Sequence, residues 1–149
     1  MELLDYTGRL NDHDAYLNVL RQLERKCKYI EYTVISGDTS FADRFADSVI
    51  SVKAKNRWWG TRSAQRRDVY TLRASRALFK HLEKFETFCK YSVSVCGDTV
   101  TETDFGINDI AFLDDEELPL LFTTTHEGYI MIRVDFLRAV DEPNSAHRV

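Results

Sequence analysis

Apolar residues along this chain change their spacing several times, and each change marks an element. From Asn11 or Asp12 onward, Tyr16, Leu17, Leu20, Leu23 and Cys27 recur at helical spacing, the stripe of a helix that buries one side. Asn11 is a good N-cap, Asp14 falls in the first turn, and Arg21, Arg25 and Lys26 lie toward the far end, where the helix dipole favours cations. The period then shortens. Tyr29 to Ile35 is rich in β-branched and aromatic residues and stops at Ser36-Gly37-Asp38, which reads as a strand and a turn. Residues 40–47 are ambiguous, with Phe41, Arg44 and Phe45 enough for one helical turn. Val49 to Arg57 alternates, with Lys53, Lys55 and Arg57 on one face and Val52 and Ala54 on the other. A polar loop is expected from Trp59 to Arg67, and Asp68 to Arg73 returns as the hairpin partner. Ser75 caps a second helix that buries Leu78, Leu82, Phe85 and Cys89.

Tyr91 to Val95 reads as a short strand and 97–108 as a loop. Ile110 to Leu113, Leu118 to Thr125 and Tyr129 to Val134 read as three strands, joined at Asp114–Glu117 and at His126-Glu127-Gly128. Joins that short make the strands antiparallel. Asp135 to Val140 reads as a closing helix and 141–149 as a frayed tail. The expected fold is one α+β domain over 1–149, a mostly antiparallel sheet with two main helices packed on one face. The other face is the natural place for a partner.

Charge adds what the pattern leaves out. From Lys53 to Arg76 there are eight basic residues and one acid, whereas Tyr91 to Ile132 holds nine acids and no Lys or Arg. The net charge of −4 hides these two opposed fields, which act on partners and association rates rather than on the fold. A pI near 5.6 argues against general nucleic-acid binding. No apolar run approaches the roughly 20 residues that cross a bilayer, and Met1 to Leu10 carries Glu2 and Asp5 without a charged-then-apolar leader. Cys27, Cys89 and Cys96 show no C-x-x-C spacing, so free, buried thiols in a reducing cytoplasm are expected rather than a disulfide scaffold or zinc site.

Three constellations are candidates for chemistry. The acidic set is Glu102, Asp104, Asp109, Asp114, Asp115, Glu116 and Glu117. Adjacent carboxylates repel one another and take water as their main partner. Without D-x-[DN]-x-[DN]-G they form no recognisable metal loop, so a solvated turn and a protein-docking patch are the competing readings. The basic set is Lys53, Lys55, Arg57, Arg62, Arg66 and Arg67 around Trp58 and Trp59. Cations beside rings suit single-stranded nucleic acid or an interface hot spot, against the plain reading of one core tryptophan and a solvated charged face. Third, His126-Glu127 at a turn is a possible acid-base pair, although Gly128 more simply supplies a hairpin's positive φ. No cofactor motif is visible.

Two stretches, Lys55-Asn56-Arg57-Trp58-Trp59-Gly60-Thr61 and Leu121 to Ile130 with its Thr-Thr-Thr-His-Glu-Gly-Tyr core, resemble small bacterial immunity proteins of polymorphic or contact-dependent toxin systems. The resemblance implies a non-enzymatic cytoplasmic inhibitor that binds one toxin domain, and it carries over no site residues. The acidic set is then the expected docking surface for a basic partner, such as a nuclease cleft, with the basic hairpin as a second contact or a homodimer surface. A nucleic-acid-binding module and a small enzyme using His126 and Glu127 are the alternatives.

Overall fold

Asp12, one residue beyond the expected Asn11, caps the first helix, α1 (His13–Lys26), with its carboxylate accepting from the Ala15 amide at 3.3 Å. A computed structural model describes residues 1–89 and 105–141. The strand expected at Tyr91–Val95 and most of the 97–108 loop lie outside these residues, as does the tail after Asp141.

The strands are β1 (Leu3–Asp5), β2 (Tyr29–Val34), β3 (Val49–Trp58), β4 (Thr61–Arg73), β5 (Asp109–Leu113), β6 (Pro119–Thr124) and β7 (Tyr129–Arg133). All pair antiparallel in one sheet of order β1-β7-β6-β5-β2-β4-β3. The shorter helices are α2 (Ser40–Arg44), α3 (Arg76–Leu82) and α4 (Val134–Asp141). The fold is the expected single α+β arrangement.

One face of the sheet is covered. Tyr16, Leu20 and Leu23 of α1, Leu78 and Leu82 of α3, and Phe136 of α4 pack with Ile30, Tyr32, Leu72, Phe112, Leu121 and Ile132 of the strands into the main core. Residues of opposite parity form a separate small cluster, in which Ala111, Leu113 and Phe122 meet Leu3, Tyr29, Trp59 and Met131. Strand alternation therefore sorts the sheet into a helix-covered side and an open side.

Two expectations are corrected, and one strand was not foreseen. The stretch 61–67 is strand rather than loop, and the hairpin turns tightly at Trp59-Gly60. Its residues are polar because β2 reaches only Asp68 to Arg73 of β4, so the far half of the hairpin has no neighbouring strand on that side among the described residues. Helix α3 stops at Leu82. Beyond it Lys84 and Phe85 donate to His81 and Leu82, three residues back, and the tighter turns keep Phe85 and Cys89 buried without continuing the α-helix. Strand β1 has only three residues, too few to show a period.

The free half of the hairpin arches over the open side. At its tip Trp58 donates from Nε1 to Asp109 Oδ2 at 2.9 Å, and Trp59 lies over Phe122 with ring centroids 6.3 Å apart. Gly60, at φ 85°, sits so close that a Cβ would fall 2.7 Å from Phe122 Cε2 and 2.9 Å from Thr124 Oγ1.

Candidate functional site

The open side carries the charge. Register sets Tyr29 against Arg73, Glu31 against Thr71, Ser51 against Thr71 and Lys53 against Val69. Together with Ile50, Lys55, Asp115 and Glu117, these residues line a cleft of about 440 Å³ between the arched hairpin and the β5–β6 turn. Glu31 is its innermost carboxylate, 17% exposed and 3.9 Å from Lys55 Nζ. Burial pushes the Glu31 carboxyl above its ordinary range, and Lys55 opposes the shift. The two charged segments, far apart in sequence, thus face each other across one opening.

The acidic set divides. Glu102 and Asp104 lie outside the described residues. Asp109 is a correction: it is 2% exposed and is no surface residue. Its Oδ2 accepts from Trp58 Nε1 and its Oδ1 from the Thr125 amide at 2.7 Å. Burial raises its carboxyl to about 6 against the pull of these two donors.

Asp114 is half-buried and structural. Its Oδ1 accepts from the amides of Glu116 and Leu118, at 2.9 and 3.0 Å, and its Oδ2 accepts from Arg133 Nη1 at 2.6 Å. Burial alone would raise this carboxyl. The Arg133 hydrogen bond, the two amides and the guanidinium charge outweigh it and hold the group below its ordinary value. Arg133 also binds Asp135 at 2.7 Å. Asp115, Glu116 and Glu117 remain exposed, with no ion pair within 4 Å among the described residues. Asp114 bridges to Arg133, not to Arg57, Arg62 or Arg66.

The basic set also divides. Lys53 and Lys55 border the cleft. Arg57 and Arg62 face each other near the hairpin tip and Arg66 is exposed. Arg67 donates to the Ile35 carbonyl at 3.2 Å. Trp58 is buried, 8% exposed, and Trp59 is half-buried against Phe122. This corrects their assignment to a free basic and aromatic surface: both rings anchor the hairpin to β5 and β6, because the arch turns them inward.

His126 Nε2 stands 3.7 Å from Glu127 Oε1, with the side chains 38% and 54% exposed. The imidazole borders a second opening with Trp58, Arg62 and Arg67, which Glu127 does not line. Among the described residues no hydrogen bond from a third group orients the ring. Cys27 is half-buried, donates to the Tyr29 carbonyl at 3.2 Å, and has its thiol pushed up to about 12 by burial. No set of three His, Cys, Asp or Glu side chains among the described residues is placed to hold a metal ion. No described helix is long and apolar enough to cross a membrane.

Three residues of the site were not singled out in the sequence: Glu31, Arg73 and Arg133. Glu31 leaves a trace, as the one charged residue inside the apolar run Tyr29 to Ile35. Arg133 leaves another, as the first cation after the acidic segment. No family model matches the sequence, and no curated protein or solved structure shows significant similarity to it.

Proposed function

We propose that this chain is a non-enzymatic, cytoplasmic binding protein of immunity type, which neutralises a toxin domain by receiving a basic surface of that domain at the β5–β6 turn. The observation that carries this reading is the construction of the turn. Asp114 holds the backbone through two amides and is itself held by Arg133, while Asp115, Glu116 and Glu117 project without cationic partners of their own among the described residues. A turn whose backbone is held in this way has less to order on binding, although the side chains of Asp115, Glu116 and Glu117 are themselves free to move. Their field also speeds the capture of a cationic partner at low salt. The docking surface is therefore smaller than the full acidic set: Asp115, Glu116 and Glu117, with the cleft behind them. The nucleic-acid reading has less support, since stacking needs free rings and both tryptophans are spent on the hairpin anchor.

The test is to express the protein encoded by the adjacent gene and to measure capture of its C-terminal domain. Reversing charge in D115K/E116K/E117K should slow association at least about tenfold at low salt and flatten its salt dependence. Unchanged capture by the folded variant removes the assignment.

A further inference from the structure

Strand β3 ends the sheet, and its outer edge has no neighbour among the described residues. Between irregularities at Val49/Ser51 and Lys55/Arg57, the run Ser51 to Lys55 is regular. Such an edge presents backbone N–H and C=O groups already in strand geometry. The strand also carries two of the exposed large apolar side chains, Ile50 at 47% and Val52 at 49%. On its open-sheet side Lys53 and Lys55 stand two residues apart at the cleft. Lys53 has no carboxylate within 4 Å among the described residues, and Lys55 meets Glu31 only at 3.9 Å while 40% exposed.

These charges select the occupant. A second copy paired antiparallel about Lys53 would set Lys53 against its own counterpart and Lys55 against Ser51, which crowds four ammonium groups onto one face. Like charges directly opposite destabilise a ladder, and opposite charges support it. In that register the lysines oppose self-pairing, whereas a strand of the other sign gains from them. We propose that β3 accepts an extended acidic segment of a partner protein as an eighth strand, with carboxylates at alternate positions against Lys53 and Lys55 and an apolar side chain over Val52. Main-chain hydrogen bonds would supply affinity and the alternating side chains specificity. Its backbone contacts lie on the outer edge of β3, at the end of the sheet, although Lys53 and Lys55 share the cleft with Asp115 and Glu117.

The experiment measures the binding of a short fluorescent peptide that alternates glutamate and valine, by anisotropy and by amide shifts in NMR spectra. The peptide should bind, and the shifts should centre on residues 51–55. N-methylation of alternate peptide nitrogens, replacement of its glutamates by glutamine, and the K53Q/K55Q protein should each weaken binding roughly tenfold. The D115K/E116K/E117K protein, which loses two carboxylates from the shared cleft, should bind the acidic peptide at least as tightly, with the shifts still centred on residues 51–55, which separates the ladder from the turn. Absence of binding overturns the proposal, as does equal binding of the N-methylated peptide, which would mean charge adhesion without a ladder. A stable dimer paired through β3 would overturn it as well.

Discussion

Asp109 shows how one side chain can be misplaced by its company in the sequence. It stands among acids, yet it is the buried acceptor that ties the hairpin tip to β5. Its folded value of about 6 lies above the ordinary 3.8, so the fold favours the protonated form. Stability should therefore rise as the pH falls from about 6 toward 4, and should be lost again as the pH climbs through 6. The slope reaches up to about 1.4 kcal/mol per pH unit. Glu31, raised by burial, acts in the same direction. Asp114 and Asp135, both held low beside Arg133, act oppositely, removing stability below about pH 4. Chemical denaturation of the wild type and of Asp109→Asn across pH 4 to 7 tests this. The variant should show the shallower slope, and parallel curves would contradict it. The sequence sets Asp109 apart, between Asn108 and Ile110, from the run Asp114 to Glu117, but it does not show the role, which depends on a tryptophan 51 positions away.

Among the elements, α1 was legible because its stripe, cap and charges agree. So were β2, β5, β6 and β7, whose bounds differ from expectation by a residue or two. The long hairpin was half legible. Its outer half alternates weakly because it has lost one neighbour, and polar side chains there look like a loop. Gly60 is where the element's shape is decided. The positive φ and the close approach to Phe122 and Thr124 each require a residue without Cβ. Gly60→Ala should cost at least about 2 kcal/mol in stability. It should also detach the tip, which Trp58 fluorescence would report as a shift to longer wavelength. A variant as stable as wild type with unchanged emission would mean the arch is held elsewhere.

For the molecule as a whole, strand order is what the sequence conceals. Charges that are separated along the chain meet because β2 alone lies between β5 and β4, and no local pattern encodes that adjacency. The helices cover the middle of the sheet better than its edges, so local opening should be graded. Hydrogen exchange should be slowest in β2, β5 and β6 and fastest in β1 and β3. The reverse order would mean that the arch is the more rigid part.

The sheet order also settles how this protein is best handled on a biosensor. With β1 and β3 at opposite ends of the strand order, six inter-strand spacings of about 4.8 Å separate them, roughly 29 Å measured along the sheet. A biotin or affinity tether joined ahead of Leu3 would attach the molecule by its far border and leave the lysine-bearing rim pointing into the flow.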